Sequence, residues 1–83
     1  MRLMDRVRNA MRRMHYAGTT EKSYCYWIRD YIHFHGVRHP KELNAPEISS
    51  YLTYLATDRN CAAKTQNIAL NALIFLYRHV LHI

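Results

Sequence analysis

Leu3, Val7, Ala10 and Met14 recur at helical intervals, with Met4 and Met11 widening the stripe, while Arg2, Arg6, Asn9 and Arg13 line another face. Positions three and four apart share one side of an α-helix, so the spacing predicts an amphipathic helix from Arg2 to Tyr16. Ala17-Gly18 is expected to break it, the glycine taking the positive φ that ends a helix and Thr19 or Thr20 capping the next one. A second stripe, Tyr24, Trp27, Ile28, Tyr31, Ile32 and His35, predicts a helix that Gly36 stops. Opposite that stripe, Lys22, Tyr26, Arg29 and His33 share one face.

A loop containing Pro40 leads to Asn44-Ala45-Pro46-Glu47, where proline suits a first helical turn and Glu47 complements the positive end of the helix dipole. Ile48, Tyr51, Leu52 and Leu55 form the stripe of this third, short helix, which ends near Asp58. After an Arg59-Asn60-Cys61 turn, Thr65, Ala69, Ala72, Leu73, Leu76 and Val80 mark a fourth helix, with Lys64, Asn67, Asn71 and Arg78 on its other side. Almost nothing alternates as a strand does, and there is no internal repeat. Four short amphipathic helices on brief connections predict an all-α fold, a compact bundle forming a single domain over 1–83.

Composition narrows the choice of partner. Twelve Lys and Arg against six Asp and Glu leave +6 with histidines neutral. Such an excess calls for nucleic acid, an anionic membrane surface or an acidic protein. Cys25 and Cys61 are too few for a disulfide scaffold and lack CxxC spacing, which points to free thiols in a reducing compartment. No apolar run reaches the length of a membrane span, and the first residues are charged too often for a signal peptide. A cytoplasmic location and no membrane partner are therefore expected.

The run His15-Tyr16 and the segment TEKSYCYWIRDYIHFHGVRHP, Thr20 to Pro40, resemble the opening of the integron integrases. Their Tyr-rich helix contains a Trp-Ile/Val-Arg step and ends in Phe-His-Gly before Arg-His-Pro. EISSYLTYLATDR, Glu47 to Arg59, resembles that family's next helix, and KTQNIALNALIFLYRHVL, Lys64 to Leu81, its last, so nearly the whole chain is covered. The resemblance implies the SAM-like core-binding domain of tyrosine recombinases. In that family the module and a C-terminal catalytic domain clamp the recombination site, and two of the module's helices face the DNA. The family's chemistry uses a tyrosine nucleophile with Arg, Lys and His on the transferring phosphate, in motifs that come after the end of this sequence. The resemblance thus implies a binding domain that is not itself an enzyme, with the catalytic domain absent. Tyr77, in a Phe-Leu-Tyr-Arg run, matches the binding module and not the nucleophile.

Within this resemblance, Lys22, Tyr26 and Arg29 on the second helix and Lys64, Thr65, Gln66, Asn67 and Asn71 on the fourth are the expected contacts to double-stranded DNA. The bland alternative is a solvated helix face. Lys and Arg would hold phosphates, which gives affinity without sequence information. Gln66, Asn67 and Asn71 suit base edges, since an amide donates and accepts at once. The Thr65-Gln66 helix start offers N–H groups to a phosphate, although Thr65 also falls in the apolar stripe. Tyr26 would lie against the sugar-phosphate backbone, whereas Trp27, Tyr24 and Tyr31 belong to the core.

Arg38, His39 and Lys41 form a basic loop that is either a backbone contact or a solvated turn. The five arginines of the first helix, Arg2, Arg6, Arg8, Arg12 and Arg13, are expected chiefly to keep it soluble. His33, His35 and His39 do not make a zinc site, because residues two apart on a helix face differently and no cysteine pair or carboxylate completes a tetrahedral set. No cofactor is expected. Histidines protonated in mild acid would add positive charge near DNA and tighten binding. The alternative function is a helical protein-interaction module that docks other recombinase subunits in a synaptic complex.

Overall fold

Val7, Ala10 and Met11 face the core from α1 (Leu3–Arg13), as their three- and four-residue spacing dictates. The computed structural model describes residues 2–83. α1 ends in a Schellman turn: His15 adopts φ +61°, its N–H reaches the Arg12 carbonyl, and the Tyr16 N–H reaches that of Met11. This corrects the expectation that Gly18 takes the left-handed conformation. The chain has already turned at His15, so Gly18 opens α2 (Gly18–Phe34), and Thr19 and Thr20 lie inside the first turn instead of capping it. The earlier turn is fixed by Tyr16, whose ring packs against those of Tyr24 and Phe75. That packing offsets the conformational cost, about 1–2 kcal/mol, of a left-handed residue other than glycine.

Gly36 behaves as its sequence position implies. It takes φ +77°, with its N–H on the His33 carbonyl and the Val37 N–H on that of Ile32, and α2 stops there. A single 3-10 turn, Pro40–Glu42, follows, steadied by the Lys41 N–H donating to His39 Nδ1 at 3.1 Å. α3 (Ala45–Thr57) begins as its opening residues predict, with Pro46 in the first turn and the Glu47 carboxylate accepting the Asn44 N–H. Asn60, at φ +52°, reverses the chain into α4 (Ala63–Phe75). α4 starts two residues ahead of Thr65, because Ala63 and Lys64 are themselves good helix formers. It then widens into a π-type turn over Leu76–Val80.

α4 is the hub: α2 and α3 both pack on it, and α1 packs on α2 and on the π turn. Ala69, Ala72 and Leu73 of α4 are fully buried against Ile28, Tyr31 and Leu55. The small alanines let the neighbouring helices approach closely. The described residues contain no strand, and no helix among them is long and apolar enough to cross a membrane.

Polar ties reinforce this packing. The Arg6 guanidinium donates to the Val80 carbonyl at 2.7 Å, Arg12 pairs with Glu21 at 3.1 Å, and Arg8 lies 3.6 Å from Asp5. Two of these arginines therefore fasten α1 to other elements, a role beyond the solubility expected of them. Tyr31 donates its hydroxyl to that of Tyr77, which donates in turn to the Pro40 carbonyl. His35, read as part of the buried stripe, is half-buried and bonds the Glu47 carbonyl through Nε2 at 2.9 Å, joining α2 to α3.

Candidate nucleic-acid interface

Lys22, Tyr26, Arg29 and His33 follow one another at turn spacing down the outer face of α2, and with Asp30 they line a shallow groove of about 340 Å³. Tyr26 is 49% exposed there. Lys22 and Arg29 are also exposed and make no hydrogen bond or ion pair with the described residues. The groove's one carboxylate, Asp30, is not free. Its Oδ2 accepts the Tyr51 hydroxyl at 2.6 Å and the Arg59 guanidinium at 2.5 Å.

Arg59 is the residue that the sequence reading missed. It stands in the turn after α3, donates through a second nitrogen to the Tyr26 hydroxyl oxygen at 2.8 Å, and lies 5.7 Å from the Trp27 ring and 5.9 Å from the Tyr54 ring. The bond to Tyr26, followed by Asp30, holds its pKa above the ordinary arginine value. Burial, then the bond to Asp30, raises that of Tyr51. The sequence offers only an indirect signal, a lone carboxylate, Asp30, on an otherwise basic helix face, and it does not say which cation answers it.

On α4, Lys64, Asn67 and Asn71 are exposed along one line, with Ile74 and Arg78 continuing it. Thr65 and Gln66 are half-buried. Gln66 donates its amide to the Cys61 carbonyl at 2.8 Å, so one of its donors is committed to the fold. No side chain caps the first turn of α4, which leaves the N–H groups of Ala63, Lys64 and Thr65 at the positive end of the dipole.

α2 packs core face to core face on α4 through Tyr24 on Phe75, and on the π turn after it through Tyr31 on Tyr77, so the outer faces of α2 and α4 diverge. Lys22, Tyr26 and Arg29 come together in one groove; Asn67 and Asn71 do not enter it. The link between the two sets is the turn from α3 to α4, where Arg59 holds Tyr26 and Cys61 holds Gln66. In the basic loop, Arg38 reaches the Glu42 carbonyl at 3.5 Å, His39 accepts the Lys41 N–H, and the Lys41 side chain is exposed. Among the described residues no three metal-ligating side chains come together.

Residues 3–83 match the family described as phage integrase, N-terminal SAM-like domain. Two relatives, an integrase/recombinase of Escherichia coli and another of Pseudomonas aeruginosa, are each 41% identical over 81 residues. The match takes in 98% of this chain and 24% of each relative, so the chain spans about a quarter of their length. It runs through all four helices and the turn that carries Arg59. With an all-helical fold organised on α4 and a family match over nearly every residue, the chain belongs to the phage integrase N-terminal SAM-like domains.

Proposed function

We propose that this domain grips double-stranded DNA at a recombination site, as the N-terminal arm of the clamp in an integron-integrase-like tyrosine recombinase of the cytoplasm. The observation that carries this reading is a division of labour among the cations. Arg6, Arg8, Arg12, Arg38 and Arg59 are engaged within the fold, whereas the side chains of Lys22, Arg29 and Lys64, like those of Arg2, Arg13, Lys41 and Arg78, stand exposed without hydrogen-bond or ion-pair partners among the described residues, and of these Lys22 and Arg29 share one groove with Tyr26. Cations left free in an integrase domain suit phosphates.

The α2 groove would take backbone phosphates through Lys22 and Arg29, and the first turn of α4 would take another through Lys64 and its uncapped N–H groups. Asn67 and Asn71, exposed one turn apart, are the better placed for base edges; Gln66, tied to Cys61, would contribute less. The chemistry falls to other parts of the recombinase. Tyr77 suits a structural role, since its hydroxyl already accepts from Tyr31 and donates to Pro40. The test is fluorescence anisotropy of the chain on a short duplex of mixed sequence over a range of salt. Neutralising about five phosphates gives a slope of log K against log salt of roughly −4 to −5. Salt-insensitive affinity would overturn the reading.

A second reading, docking of neighbouring recombinase subunits, is favoured by the seam between α3 and α4. Ile48 and Leu52 line a groove of about 440 Å³ there, and Ile74 and Ile83 are exposed beside it. Sedimentation with and without the duplex separates the two, self-association in the absence of DNA supporting docking.

A further inference from the structure

An anion-binding groove should contain no carboxylate, yet Asp30 lines the one on α2. Arg59 removes that conflict and does a second thing at once. One of its nitrogens neutralises Asp30 Oδ2, and another donates to the oxygen of Tyr26. All five guanidinium hydrogens are donors, so the Tyr26 proton cannot point back along that bond. The phenol oxygen thus accepts from Arg59, its own proton is left for another acceptor, and Tyr26 lines the groove together with Lys22 and Arg29.

We infer that Arg59 is a positioning residue that holds Tyr26 as a hydrogen-bond donor to a DNA phosphate seated between Lys22 and Arg29. This rests on the DNA-binding reading above. A hydroxyl that accepts a bond from a cation is polarised and donates more strongly to an anion. Its orientation is also set in advance. The guanidinium is fixed by Asp30, by Tyr26, and by the rings of Trp27 and Tyr54, so little side-chain freedom is lost when the phosphate arrives. The role requires arginine: a lysine retains the charge that covers Asp30 but lacks the fork that reaches Asp30 and Tyr26 together. The two non-bridging oxygens of a phosphodiester carry its charge and no proton, so they can only accept, and a hydroxyl held as a donor suits them.

The experiment compares the chain with Tyr26→Phe, Arg59→Lys and the double variant on a short mixed-sequence duplex, by anisotropy across salt and by thermal melting. Tyr26→Phe is expected to bind about tenfold more weakly with an unchanged salt slope and at most a small fall in melting temperature, since a neutral donor is lost and the Arg59 bond it also removes is exposed. Arg59→Lys should lose a similar factor, and the double variant no more than either single one. Wild-type affinity in Tyr26→Phe, or losses that multiply in the double variant, would overturn the inference. If Arg59→Lys does not fold, as judged by helicity and by the emission of the single tryptophan, Trp27, the Tyr26→Phe result decides alone. Absence of salt-dependent binding by the unaltered chain would remove the DNA-binding reading itself. Binding by the unaltered chain that Tyr26→Phe leaves intact removes only the role of Arg59.

Discussion

The hydroxyl of Tyr77 lies 3.0 Å from that of Tyr31 and has no spare proton for it, because it donates its own to the Pro40 carbonyl at 2.7 Å. Direction therefore runs from Tyr31, which is fully buried, through Tyr77 to the 3-10 turn. Tyr77→Phe removes the acceptor of a buried hydroxyl and the donor to Pro40 together. The expected loss is about 1–3 kcal/mol, which at about 4–8 °C per kcal/mol for a domain of this size lowers the melting temperature by about 4–24 °C. An unaltered melting curve would show that the relay contributes nothing to stability.

Alkaline pH should destabilise the domain more than the count of its tyrosines suggests. Burial is the main reason that Tyr31, Tyr51 and Tyr77 have pKa values above the ordinary 10.0. As pH rises past that value the unfolded chain gives up these protons while the folded one retains them. Their stabilising contribution, complete below pH 10, is then lost with further rise. Tyrosinate absorbance should appear in two stages during a pH titration, the later one coinciding with loss of helicity. A single stage ahead of unfolding would contradict this.

The two glycines should respond with opposite sign. Gly36 has φ +77°, and Gly36→Ala is expected to cost about 1 kcal/mol through backbone strain alone, as nothing lies within 4 Å of the added carbon. Gly18 is helical and equally open, so Gly18→Ala should stabilise by a few tenths to about 1 kcal/mol. Chemical denaturation of the two variants measures both.

Removal of charge should separate the free cations from the engaged ones. Lys22→Ala and Lys64→Ala are each expected to weaken binding to every duplex sequence alike and to reduce the salt slope by about 0.9. Arg12→Ala, which breaks the pair with Glu21, should leave the slope nearly unchanged and have at most a small effect on stability, about 0–1 kcal/mol. Equal slopes for all three would show that exposure and pairing do not select the DNA contacts.

Hydrophobic periodicity made the four helices legible, because the burial of Ile28, Tyr31, Leu55 and Leu73 follows from local spacing. It misplaced the turn between α1 and α2. The residue that fixes that turn, Tyr16, packs on Phe75, far along the chain, and a local pattern contains no trace of the contact. The same limit applies to the candidate site. Lys22, Tyr26 and Arg29 share one helix, so their common face could be read from spacing. Arg59 enters through bonds to Asp30 and Tyr26 that span 29 and 33 residues. Gln66 looked like a free amide because its partner, Cys61, lies in a turn whose shape depends on the left-handed Asn60.

The bond from Arg6 to the Val80 carbonyl joins residues 74 apart. It closes almost the whole chain into a loop, and with the packing of α1 on α2 and on the π turn it ties the first helix to the last. α1 is thus held by two elements, α2 and the turn that follows α4. Heat or denaturant should therefore melt α1 in the same transition as α4, and a protease should find no partly folded form that lacks α1 and persists.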